Sequence, residues 1–197
     1  MTSYKRLAAL PNPLVACVVM GIGFAETATA ESPPSLIRYL ETEIAPRLAD
    51  ENLLNAVRAQ NSETATYSAS EIERLDQAWR QQSGTENAPV IDAVIDNPLA
   101  ATLRAWRDNS DDLIHEVFVM DLVGLNVAAA APTSDYWQGD EPEHADAIGN
   151  GLYVGPLEFD ESVQRYQVEA AIPIHDPETG AIIGALAVGL DPSVMLE

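Results

Sequence analysis

Apolar residues change their period near residue 113. Before it, Leu36, Ile37, Leu40, Ile44, Leu48, Leu54 and Val57 recur at helical spacing, with Pro46 placed to kink or divide the segment. Pro33 and Pro34 close a short linker, and Ser35 is positioned to cap the helix that follows. Ser70 and Glu73 have the spacing of a capping box for a second helix carrying Ile72, Leu75 and Trp79. Asn97 followed by Pro98 opens a third, which runs through Leu103 and Trp106 to Asn109.

After it, the pattern is that of strands. Residues 114–120 are β-formers, 121–124 read as a turn, and 126–131 as a second strand. A loop and a short helix are expected over 133–148, and a third strand over 153–159. Residues 163–175 alternate, with Tyr166, Val168, Ala170, Ile172 and Ile174 on one face. A turn over 176–180 leads into the last strand, 181–190. Pairing Ile174 with Ile182 sets Ile172 against Gly184, Ala170 against Leu186 and Val168 against Val188, and a one-residue slip would turn the apolar set outward. The opposite face carries Gln167, Glu169, Ala171, Ala185, Ala187 and Gly189. Side chains that small either admit a closely packed helix or leave room for a ligand. The whole predicts an α+β domain, a long N-terminal helix packed on a five-stranded antiparallel sheet.

Charge narrows the partners. Among 197 residues, 31 are acidic and 10 basic, for a net charge of −21, and Lys5 is the only lysine. Such a surface repels phosphate and anionic lipid, so nucleic acid and membrane surfaces are poor partners. A hydrophobic fraction of 47% excludes a disordered acidic tail. The one cysteine, Cys17, excludes an intrachain disulfide and a thiolate metal site. Lys5 and Arg6 precede an apolar stretch over 14–25, shorter than the roughly 20 residues a span needs, and Ala28-Thr29-Ala30 ends it as a small-x-small site. Residues 1–30 therefore read as a secretory signal peptide cleaved before Glu31, and 31–197 as a single domain in a periplasmic location. Leu14-Val15-Ala16-Cys17 also fits a lipoprotein-processing box, but the sequence stays apolar after the cysteine, which favours the later site. No second apolar run follows, so no membrane span is expected in the mature chain.

The densest chemistry lies at residues 133–141, where Asp135, Tyr136, Trp137, Gln138, Asp140 and Glu141 stand together. Aromatic faces can cover a small ligand while Asp135 or Asp140 pairs with an ammonium group. The same residues also suit a structural lid in which Tyr136 or Trp137 plugs the core and Asp140 caps the short helix. Asp135, Asp140 and Glu141 are hard oxygen donors, but they lack the alternating ladder of a calcium loop. No metal ligand set and no cofactor is expected. Arg104 and Trp106 precede the first strand, where an arginine could grip a carboxylate beside an indole wall, or simply flank a core tryptophan. His115, His144 and His175 form no HExxH pair, and no G-x-S-x-G elbow exists, so no enzyme is expected.

The turn at Asp121 to Gly124, the stretch "TSDYWQGDE" and the closing "IPIHDPETGAIIGALAVGL" together resemble the extracytoplasmic Cache (PDC, PAS-like) sensor domains, over roughly residues 36 to 191. The resemblance implies a pocket over the sheet for an amino acid, an amine or a carboxylate. It also implies signal transduction through a separate membrane signalling protein. Amino-acid-binding members carry R-x-W before the first strand, matched here by Arg104 and Trp106, with Arg107 where an aromatic would follow. The expected ligand-binding set is Arg104, Trp106, Asp135, Tyr136, Trp137, Gln138 and Asp140. The alternative is an interaction module of the same fold with no small ligand.

Overall fold

The computed structural model describes residues 32–161 and 164–196; the expected leader and Cys17 lie outside them. The N-terminal helical segment is divided at Pro46, as its position predicts. An α-helix, α1 (Pro34–Tyr39), widens into a π-turn (Leu40–Ile44) and tightens into a 3-10 turn (Ala45–Ala49) before α2 (Glu51–Thr64) begins. Proline lacks the amide that would continue the ladder, so the chain restarts at Asp50, whose carboxylate accepts from Asn52 N and Leu53 N. Ser35 does not cap: Pro33 holds that position with no side-chain bond, since α1 starts one residue earlier, at Pro34.

Four more helices follow: α3 (Ala69–Gln82), α4 (Pro89–Ile95), α5 (Pro98–Asp108) and α6 (Pro142–Asn150). The capping box of α3 is Ser68 with Glu71 rather than Ser70 with Glu73. Both pairs have the required spacing, and the earlier one is the one at the chain's entry into the helix. Asn97 caps α5 through Ala100 N, as its sequence predicts.

Strands β1 (Ile114–Asp121), β2 (Asn126–Ala129), β3 (Tyr153–Asp160), β4 (Arg165–His175) and β5 (Ile182–Leu190) form one antiparallel sheet in the order β2-β1-β5-β4-β3. The final hairpin is shifted by two residues from the expected register: Val168 pairs with Leu190, Ala170 with Val188, Ile172 with Leu186 and Ile174 with Gly184. An irregularity between Ile174 and His175 absorbs the shift. Two residues is one full side-chain period, so the apolar face stays inward.

The sheet is covered on both faces. Val117, Val119, Val168, Ala170, Leu186 and Val188 pack with Leu36, Leu40, Leu53, Val57 and Leu103 from α1, the π-turn, α2 and α5. On the other face Phe118, Met120, Ala129, Ala171, Ala185 and Ala187 meet Trp79 of α3, Ile91 and Val94 of α4 and Ala147 of α6. Small sheet residues are what allow the bulky Trp79 ring to be fully buried there. A buried carboxylate joins one helical layer to the sheet. Asp121 is inaccessible to solvent and accepts from Thr64 Oγ1 (2.8 Å), Gln60 Nε2 (3.1 Å), Leu125 N (2.9 Å) and Val123 N (3.0 Å). This ties α2 to the β1–β2 turn. Among the described residues no helix is long and apolar enough to cross a membrane.

Candidate functional site

The 133–141 segment is held from three sides. Asp76 of α3 accepts the backbone N–H groups of Tyr136 (3.0 Å) and Trp137 (3.1 Å), and its other oxygen pairs with Arg80. Arg80 also bonds Asp135 at 2.6 Å. From the β1–β2 turn, Gly124 O accepts from Gln138 N at 2.7 Å, and Val123 O accepts from the Trp137 indole at 2.8 Å. Gly124 has φ of +90°, and a side chain there would run into the backbone of Gly139. The two glycines let the segment lie directly on the turn.

Successive residues of this segment go to different places. Tyr136 stacks on Trp79, with ring centroids 5.6 Å apart and planes 17° from parallel. It packs against the cluster in which Trp79 meets Ala171, Ala185 and Ala187, so the space expected above that part of the sheet holds the protein's own core. Burial pushes its phenol up to about 12, so it stays neutral. Asp135, Trp137, Asp140 and Glu141 face α3 instead. With Ala69, Ile72, Glu73, Asp76 and Arg80 they line a cleft of about 370 Å³. Gln138 turns the other way: it is buried, donates to Asp135 O at 2.7 Å and borders a second cavity with Thr133 and Ser134. Asp140 is not the cap of α6; Glu141 holds that position, without a side-chain bond.

Arg104 and Trp106 are not brought to this segment. Both belong to the uninterrupted α5, where residues two apart diverge. Arg104 Nη1 donates to Ile95 O at the end of α4, and Trp106 packs on the first core with the Arg47 guanidinium 5.1 Å above its ring. Neither lines the cleft or the second cavity.

The contribution of α3 was not among the expected residues, although a signal exists for it. Ile72, Asp76 and Trp79 share one helical stripe, and a charged residue on a stripe that ends in a buried tryptophan is a candidate for an anchoring role. Asp140 and Glu141 form no ion pair among the described residues, and burial, then the charges of Asp140 and Asp135, raise the Glu141 carboxyl.

The second cavity, of about 270 Å³, opens over the other end of the small-residue face. Glu116 and Glu169 both pair in register with Gly189, so the two acids flank a residue without a side chain. Asp160 of β3 and Glu143 of α6 border the same space. Burial raises both Glu116 and Glu169 to about 7, with Asp160 and Glu143, respectively, the foremost charges adding to it.

The fold is thus an α+β domain with helices on both faces of a 2-1-5-4-3 antiparallel sheet, and the two cavities described above border one loop. No family model matches the chain, and no curated protein matches it. Solved structures similar to it are sensor domains of histidine kinases and chemoreceptors. The DcuS sensor domain of E. coli is 19% identical with a TM-score of 0.39, over 65% of this chain and 91% of that one. The sensory domain of the Campylobacter jejuni chemoreceptor Tlp3, solved with isoleucine bound, is 16% identical with a TM-score of 0.39, over 84% and 66%. The sensor domain of the V. cholerae histidine kinase DctB is 14% identical with a TM-score of 0.34, over 74% and 58%. This chain spans 60%, 25% and 58% of the length of three of the solved chains it resembles.

Proposed function

We propose that this protein is an exported, non-enzymatic sensor module of the Cache type, which binds a small ammonium-bearing metabolite, an amino acid or an amine, in the cleft between α3 and the 133–141 segment. The observation that carries this reading is the lining of that cleft. An indole fixed by its own hydrogen bond forms one wall, and Ile72 adds apolar surface. Around them stand the carboxylates of Glu73, Asp140 and Glu141, with one guanidinium, Arg80, already engaged by Asp76 and Asp135. A cation would be met by carboxylates that form no ion pair among the described residues, whereas a simple dicarboxylate would meet repulsion. The volume suits a metabolite of amino-acid size.

The response would follow from the same bonds. A ligand ammonium competing for Asp135 would loosen Arg80, and through Asp76 would shift the backbone of residues 136 and 137 against α3. The altered α3 surface would then be read by a separate membrane signalling protein.

The test is a thermal-shift and calorimetric screen of amino acids, amines and carboxylates on the purified protein. A true ligand at a hundred times its dissociation constant adds about 2.7 kcal/mol of stability. Trp137→Ala should weaken binding by more than about 1 kcal/mol while the far-UV circular dichroism is kept. Silence from every amino acid and amine would replace this reading with that of an interaction module without a small ligand.

A further inference from the structure

The acidic cavity over β1, β4 and β3 has a chemistry of its own. Glu116, Asp160 and Glu169 each place a carboxylate oxygen within 4.8 Å of the others, though they come from three different strands. Among the described residues neither Glu116 nor Glu169 forms a salt bridge. Close acids of this kind are common on an acidic protein and are not in themselves a site. The second observation is Gln167. It is 2% exposed, and its Oε1 is buried with no hydrogen-bond partner among the described residues. A Cβ on Gly189 would overlap that oxygen, so the amide lies over Gly189, between the two acids that pair with Gly189 in the sheet. Its Nε2 meanwhile donates to Asp160 at 2.7 Å and reaches Glu169 at 3.4 Å. The amide oxygen is a buried acceptor among acceptors, with no donor to satisfy it. An orphan of that kind normally costs about 1–3 kcal/mol, and a cation would satisfy it and the three carboxylates at once, where a proton donor would satisfy the amide oxygen alone.

We infer that Glu116, Asp160, Glu169 and the Gln167 amide oxygen form a binding site for a hard divalent cation of the calcium class. All four donors are oxygens, which excludes the softer transition metals that prefer nitrogen and sulfur. Oxygens that all lie within 4.8 Å of one another can share one cation, and an irregular set drawn from three strands suits the flexible coordination of calcium better than the near-ideal octahedron that magnesium demands. The remaining coordination positions open to the cavity, where water can complete them. The ion would bridge β1 to β4 and β3 across the glycine gap. It would also fix Glu169 and Gln167 beneath the segment that roofs the cavity. The site is separate from the α3 cleft, with which it shares no lining residue.

The test is calorimetric titration of calcium chloride into chelator-treated full-length protein in about 0.15 M sodium chloride, which screens diffuse attraction to the acidic surface. One saturable site is expected, with a dissociation constant of about 10⁻⁴–10⁻³ M, the range of extracellular calcium modules. Magnesium should bind at least tenfold more weakly. Glu116→Gln and Glu169→Gln should each lower calcium affinity at least tenfold. Since each neutralises a carboxyl that burial already disfavours as an anion, these variants should fold at least as well as the parent without calcium, as checked by circular dichroism. Absence of a saturable calcium signal would overturn the proposal. So would a signal that survives the double variant, or one displaced by a polyamine that itself binds more tightly at the same residues. None of these results bears on the α3 cleft, whose test uses metabolites in the presence of chelator.

Discussion

Gly189 and Gln167 share one volume: a methyl group on the glycine would sit where the glutamine's amide oxygen lies. The glycine has no positive φ to explain it, so its role here is to provide space. Gly189→Ala should therefore displace a side chain that is almost wholly buried, at a cost of about 1–3 kcal/mol for overpacking, with the sheet retained. The same substitution should remove measurable calcium binding. Urea denaturation and calcium calorimetry on one sample separate the two effects. Unchanged calcium affinity would show that Gln167 is not a ligand.

Asp121 carries the connection between layers, and its environment predicts a large penalty. Asp121→Ala takes the shared acceptor away from the buried Leu125 N–H, the part-buried Val123 N–H and the side chains of Thr64 and Gln60, which keep only their backbone acceptors. The expected loss is about 3 kcal/mol or more in chemical denaturation. Asp121→Asn, which keeps one acceptor oxygen, should recover part of it. A loss below 1 kcal/mol for the alanine variant would mean that water replaces the carboxylate.

Tyr136 and Trp137 are neighbours with opposite fates, and substitution should separate them. Tyr136→Ala removes the ring that stacks on Trp79 and should cost about 3–5 kcal/mol. Tyr136→Phe keeps the stack and, as the phenol makes no hydrogen bond among the described residues, should cost less than about 1 kcal/mol. Neither should change the affinity of a ligand bound in the α3 cleft, because Tyr136 is not among its lining residues. Trp137→Ala should do the reverse, lowering affinity at a smaller cost in stability, about 0.5–1.5 kcal/mol for the lost bond to Val123 O.

The contrast shows what a linear pattern carries. Strand faces were readable because their period is two, and even the register error in the last hairpin preserved them. The capping box was misplaced by two residues because Ser68-x-x-Glu71 and Ser70-x-x-Glu73 have the same spacing, and only the direction of the incoming chain distinguishes them. Helix α4 was not anticipated, since seven residues give fewer than two turns of periodicity. Of the expected binding residues, the loop set was placed around real cavities, but its members divide between two of them and the core. Arg104 and Trp106 depend on α5 ending early, which it does not. Glu116 and Asp160 escaped notice because they join Glu169 only through the sheet. Gln167, Glu169 and Gly189 were visible as polar and empty positions on the small-residue face, and they mark the place where that face is not filled.

The acid side of the stability curve should report on Asp176, at the turn between β4 and β5. Its carboxylate accepts from Arg58 Nε at 2.8 Å and from the backbone N–H groups of Glu178 and Thr179. The Arg58 bond foremost, then the Glu178 N–H, hold its pKa at about 2, below the ordinary 3.8. Between these two values the unfolded chain binds the proton and the native protein does not, so stability from this residue rises with pH through that window. It is fully present above about pH 5 and is lost as the pH falls through 4 towards 2. Asp176→Asn lacks the dependence. The difference in urea midpoint between parent and variant should thus be constant from pH 8 to 5, then narrow steadily to pH 2. Comparing the two proteins at each pH cancels the titration of the many other acids, which both share. A difference that stays constant down to pH 2 would show that the carboxylate is not held by Arg58 in solution.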